Sequence, residues 1–213
     1  MKGRRLLRAP SSTRPAIWLL DFQGQSLVVK DFRNNRFLYR NTVGRFLLWR
    51  EEKAYRRLRG LEGIPPCRGR VTPHTLILEV VDGVPVEGLE HTLKLSPEFF
   101  TELRTLVDAV HARGLVHCDL KRAPNILLGR NNRPYIVDWS AAIAASEFRP
   151  FPLNLIYQRF LADDLNAVVK LQLRHCPEAL SRRQLESYEK KGPLERLVRR
   201  LRDRARDLLK RLA

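Results

Sequence analysis

At 213 residues and 44% hydrophobic, the chain is long enough for one large domain or two small lobes, and too apolar for a disordered protein. Its net charge of +17 is spread unevenly: residues 1–70 carry 17 basic against 5 acidic side chains, 71–180 carry 11 against 13, and 181–213 carry 12 against 5. Three cysteines (Cys67, Cys118, Cys176) without C-x-x-C spacing argue against a disulfide framework or zinc site, and no stretch approaches the roughly 18 apolar residues of a membrane span.

In chain order, a short strand is expected around Arg5–Arg8, followed by the Ser/Thr-bearing stretch "APSSTR" at 9–14. "AIWLLDF" and "SLVVKDF" read as strands, joined by "QGQ" as a three-residue hairpin loop containing Gly. "VGRFLLWREEKAYRRLRGLEG" predicts a helix, with Phe46, Leu47, Leu48, Tyr55 and Leu58 at helical spacing and Gly60 and Gly63 near its stop. "HTLILEVV" is the next strand. "SPEFFTELRTLVDAVHARG" is the clearest helix: Ser96 caps it, Pro97 fits its first turn, Phe99, Leu103, Leu106 and Val110 line one face, and Gly114 ends it. "NILLG", the turn "RNNRP" and "YIVDWS" predict a second hairpin. From Phe160 on the chain reads as helical and ends in a basic amphipathic segment, with no internal repeat.

Four stretches in this order carry chemistry. "LVVKDF" puts Lys30 on a strand, where a lysine needs a partner. "REEKAYRRL" offers one on the following helix: Glu51 rather than Glu52, because Tyr55 and Leu58 follow Glu51 at +4 and +7 on one apolar face. "HCDLKRAPNILL" supplies Asp119 and Asn125, and Asp138 ends the strand "YIVD". Phosphoryl transfer uses such a set. A lysine held by a glutamate steers the α/β-phosphates, an aspartate and an amide oxygen hold Mg²⁺, and a second aspartate orients the acceptor hydroxyl.

These motifs, over roughly residues 5 to 175, resemble the protein-kinase-like fold. "VVKDF" is similar to the β3 lysine motif, "HCDL…N" to the catalytic loop, "VDWS" to the DFG metal motif, and "LILEVVDGVPV" to the hinge that binds adenine through its backbone. The resemblance implies a bilobal α+β fold with a small β-rich N-lobe holding one helix at 1–80, a mainly helical C-lobe at 81–180, and a basic helical segment at 181–213. It implies ATP and Mg²⁺ as cofactors, adenine contacts at Glu79 and Val81, catalytic roles for Lys30, Glu51, Asp119 and Lys121, and metal contacts at Asn125 and Asp138. Within that fold, "LVVKDFRNNRFLYRNTVGRFLLWREEKAYRRL" resembles the small bacterial lipopolysaccharide core (Kdo/heptose) kinases and the RIO-like group.

The chain departs from the kinase pattern in four places. No G-x-G-x-x-G precedes Lys30; Ser11, Ser12 and Thr13 are the substitute phosphate-contacting residues, an ordinary capped turn being the alternative. Asn125 follows Asp119 by six residues rather than five, Trp139 and Ser140 replace Phe and Gly after Asp138, and no A-P-E segment follows. His117 is expected to prop the loop through backbone hydrogen bonds. Asp163 and Asp164 either anchor that loop or cap a helix, and His74, His91, His111 and His175 lack metal-ligand spacing.

The expected activity is transfer of the γ-phosphoryl of Mg·ATP to an alcohol on an anionic acceptor. A lipopolysaccharide core sugar is the first reading, with a RIO-like protein serine/threonine kinase and a nucleotide-binding pseudokinase as alternatives. The opening "MKGRRLLRAP" is charged but has no apolar core behind it, so a cytoplasmic chain is expected. The basic ends suggest peripheral contact with an anionic membrane surface at the inner face of the cell membrane, or less readily nucleic acid, with plain solvated faces as the alternative.

Overall fold

Residues Arg4–Arg8 (β1), Ala16–Phe22 (β2) and Gln25–Asp31 (β3) pair antiparallel in the computed structural model, which describes residues 3–189. Cys67–Thr72 (β4) and Thr75–Glu79 (β5) complete a five-stranded sheet in the order β1-β2-β3-β5-β4. Its apolar positions Ala16, Leu27, Leu76 and Leu78 are buried. The β2–β3 connection is tighter than the expected three-residue loop. Phe22 pairs with Gln25, leaving Gln23 and Gly24 as a two-residue turn with φ of 51° and 75°. Positive φ at both central residues is what a tight hairpin turn requires, and it draws Gln25 into the ladder. Strand β4 was not expected, because "CRGRVT" has no apolar pattern and its register is broken twice.

The helix before β4 starts earlier than its spacing predicts. Phe37–Tyr39 (α1) runs through a π-helical turn, Arg40–Gly44, into Arg45–Arg57 (α2). A Cβ on Gly44 would come 3.0 Å from the Phe32 ring, a contact tight enough that the ring would have to shift.

Later in the chain, Gly83–Pro85 (β6), Ile126–Gly129 (β8) and Pro134–Ile136 (β9) form a second sheet, and Leu115–Val116 (β7) pairs with Ile143–Ala144 (β10). Pro97–Ala112 (α3) begins as its sequence predicts: the Ser96 hydroxyl accepts the Phe99 N–H at 3.4 Å and Pro97 opens the first turn. Its face of Phe99, Leu103, Leu106 and Val110 is buried. Leu153–His175 (α4) starts seven residues before the predicted Phe160, and Arg182–Glu189 (α5) follows. Gly63 (φ 84°) lets the chain pass Leu106 and the Pro134 carbonyl while its own carbonyl accepts the Ile136 N–H at 2.9 Å.

The architecture is thus α+β: sheet first, helices later. The described chain divides into two compact units, residues 3–52 with 67–80, and residues 53–66 with 81–188. Among the described residues no helix is long and apolar enough to cross a membrane. The predicted basic amphipathic segment, with Leu194, Leu197, Leu201, Leu208 and Leu212, lies outside the described residues.

Candidate active site

Lys30 sits on β3 between Ile17 of β2 and Leu76 of β5 and is only 7% exposed. A buried ammonium is costly unless paired. Glu51 of α2, itself 1% exposed, supplies the pair, with Nζ–Oε1 at 2.5 Å. The neighbouring Glu52 turns instead to Arg70, whose Nε lies 2.7 Å from its carboxylate. Ser11 and Arg14 close a tight turn on each other at 3.1 and 3.4 Å, with Ser12 and Thr13 at its tip. Glu79 ends β5 in an ion pair with Arg68 at 2.6 Å, and Val81 just beyond it is half-buried.

In the second unit the segment after β7 is held almost entirely through its backbone. Cys118 adopts φ 66°, and the Asp164 carboxylate, 2% exposed, accepts the N–H groups of His117 at 2.6 Å and Cys118 at 3.1 Å. His111 Nε2 approaches the same carboxylate at 3.3 Å. The His117 ring has one Nε2 partner, the Val137 carbonyl at 3.0 Å, and one Nδ1 partner, the Asp119 N–H at 3.2 Å. Those partners fix Nε2 as donor and Nδ1 as acceptor. The ring packs 4.6 Å from fully buried Trp139, the residue that follows Asp138. Asp164 lies in the middle of α4, so the helix-capping alternative for Asp163 and Asp164 is overturned: a cap belongs at a first turn, and this carboxylate faces the loop.

The six-residue spacing from Asp119 to Asn125 is absorbed by a 3₁₀ turn, Ala123–Asn125. Asn125 still returns to Asp119, donating from Nδ2 to its carbonyl at 3.0 Å. That bond leaves the amide oxygen as the free end of the side chain. The Asn125 carbonyl accepts the Val137 N–H at 2.9 Å, which ties it beside Asp138 in the chain's next strand end. Asp138 takes a left-handed conformation (φ 66°, ψ 67°) and accepts the Ser140 hydroxyl at 3.0 Å. One carboxylate and one amide oxygen are hard donors suited to Mg²⁺, which takes few protein ligands and completes its shell with water and phosphate oxygens. Among the described residues no group of three or more His, Cys, Asp or Glu could hold a metal alone, so a cation here needs such outside oxygens.

Arg122 Nε lies 3.3 Å from the Asp119 carboxylate, while Lys121 at 3.6 Å and Arg159 at 3.1 Å share Asp163. Sequence reasoning weighed Asp164 without choosing its role and passed over Arg122 and Arg159. The i, i+4 spacing of Arg159 and Asp163 was the available signal.

A family model described as a RIO domain matches residues 21–185. The match includes Lys30, Glu51, Glu79, Val81, Asp119, Lys121, Asn125 and Asp138, and begins after the turn bearing Ser11, Ser12 and Thr13. No curated protein matches the chain.

Proposed function

The chain belongs to the RIO kinase family, a kinase-like phosphotransferase family, and on that premise we propose that it moves the γ-phosphoryl of Mg·ATP to a serine or threonine hydroxyl of a protein. The observation that carries this reading is the loop from His117 to Asn125, pinned by Asp164 inside the family match. In this reading Lys30, held by Glu51, steers the α/β-phosphates. Backbone groups at Glu79 and Val81 meet adenine, and the turn at Ser11, Ser12 and Thr13 meets phosphate. Asp138 and Asn125 would hold Mg²⁺, which would supply positive charge to offset that of the transferring phosphoryl group. Asp119 orients the acceptor hydroxyl and takes its proton, and Lys121 contacts the transferring group.

A second acceptor, a lipid-linked sugar such as a lipopolysaccharide core sugar, is favoured by a different feature. Phe37, Leu38 and Phe46 are 73%, 59% and 50% exposed on an arginine-rich helix, a composition suited to an anionic membrane surface.

The test follows label from γ-labelled ATP and Mg²⁺ into the protein, lipopolysaccharide and RNA fractions of a bacterial extract, beside the variant Asp138→Ala. Label in protein, lost with the variant, is the expected result. Label in the saccharide fraction moves the acceptor to the second reading. ATP binding with no labelled product in any fraction would sink both.

A further inference from the structure

Asn35 is a buried amide, 6% exposed, that spends its two N–H bonds on another segment's backbone. Its Nδ2 donates to the carbonyls of Ser11 at 2.6 Å and Arg14 at 3.1 Å, with Ser12 at 3.4 Å. Three acceptors facing one end of the side chain leave no choice about which end carries the hydrogens. Four residues on, the hydroxyl of buried Tyr39 donates to the Thr13 carbonyl at 3.0 Å. Every carbonyl from Ser11 to Arg14 is therefore engaged from below by α1 or the turn leading into it. Asn35 is itself fixed: its N–H donates to the Phe32 carbonyl at 3.0 Å, in a turn braced by Asp31 and Arg33.

This arrangement sets the direction of the donors. In a trans peptide the C=O and the following N–H point opposite ways. With the Ser11 and Ser12 carbonyls drawn toward Asn35, the N–H groups of Ser12 and Thr13 point away from it. The N–H groups of Ser11 and Arg14 are spent on each other's carbonyls. What the turn offers outward is two peptide donors beside the hydroxyls of exposed Ser11 and Ser12, the makings of an anion-binding turn.

We propose that Asn35 and Tyr39 are positioning residues that hold residues 11–14 as a preset cradle for the nucleotide's phosphates, in place of a mobile glycine-rich loop. This rests on the kinase reading above and adds residues to it. The latch joins the cradle to the helical segment that continues into Glu51, so loop and ion pair share one support. Tyr39 suits the task because burial pushes its phenol further above the usual range, keeping it a neutral donor.

Asn35→Asp keeps the side chain's shape and replaces its donors with acceptors. Tyr39→Phe keeps the ring against Phe32 and removes one donor. Binding of ATP and of adenosine would be measured for the full chain and both variants, together with KM and kcat. A lost hydrogen bond to the cradle predicts ATP affinity down by about tenfold in Asn35→Asp and by a few-fold in Tyr39→Phe, KM for ATP raised to match, and adenosine affinity and kcat nearly unchanged. Equal loss for ATP and adenosine would reduce Asn35 to a structural role and overturn the proposal, as would full ATP affinity in both variants. A wild-type chain that binds no ATP would overturn the kinase reading first, a result distinct from either.

Discussion

At the residue scale the Lys30–Glu51 pair shows how sequence and geometry divide the work. Its existence was legible, because a lysine inside an apolar strand needs a carboxylate, and the +4 and +7 positions after Glu51 are apolar. That Glu52 would serve Arg70 was not, because Arg70 lies on a strand whose pattern is too polar to announce itself. Two charges held near 2.5 Å with almost no water contact make a costly structural device, and steering phosphates is the use that the proposed function gives it. Lys30→Met should take the ammonium partner from a buried carboxylate and cost about 3–5 kcal/mol, read from denaturant unfolding. The double variant Lys30→Met/Glu51→Leu should recover most of that stability while transfer stays abolished. Recovery of transfer along with stability would mean the pair only supports the fold. Asp164 makes the opposite case: a carboxylate before an apolar helical run reads equally as a cap or an anchor until the backbone it faces is known.

At the element scale, legibility followed periodicity. The strands β2, β3 and β5 and the helix α3 carry apolar patterns with turn residues at their ends, and each stands where its pattern puts it. The start of α1 was hidden because its buried positions, Tyr39 and Gly44, are five residues apart, a π-helical interval that a 3.6-residue period misses. The same disguise concealed Tyr39 as a support for the turn at 11–14. Helix α4 ends on a residue with its own consequence. His175 is 3% exposed, accepts the Leu95 N–H at 3.3 Å, and is held below the usual histidine range by burial, an effect that Lys94 and Arg174 assist and Glu90 opposes. The folded chain thus keeps the imidazole neutral where the unfolded chain takes up a proton. Stability from this site is full above the ordinary value of 6.5 and is lost as pH falls below it. Urea midpoints taken from about pH 7 down to about pH 5 should fall more steeply for the wild type than for His175→Gln. Parallel slopes would show that other groups, His74 among them, dominate the dependence.

At the scale of the whole molecule the kinase chemistry was legible and the acceptor was not. Catalytic groups sit at fixed spacings along one chain, whereas the acceptor is chosen by surfaces whose residues are scattered in sequence. Charge is the one whole-chain property that bears on it. A net +17 attracts any polyanion, so attraction alone separates nothing. Apolar exposure does separate partners, since Phe37, Leu38 and Phe46 gain little from a phosphate backbone and a good deal from a lipid interface. Co-sedimentation with vesicles of anionic and neutral lipid, at about 50 and about 500 mM salt, would distinguish the two contributions. Contact through charge alone predicts binding to anionic vesicles that vanishes at high salt and is indifferent to Phe37→Ser/Phe46→Ser. Insertion predicts a salt-resistant fraction that this double variant removes. The protein-acceptor reading expects the first pattern; the second would place the acceptor at a membrane surface and move the case toward a lipid-linked sugar.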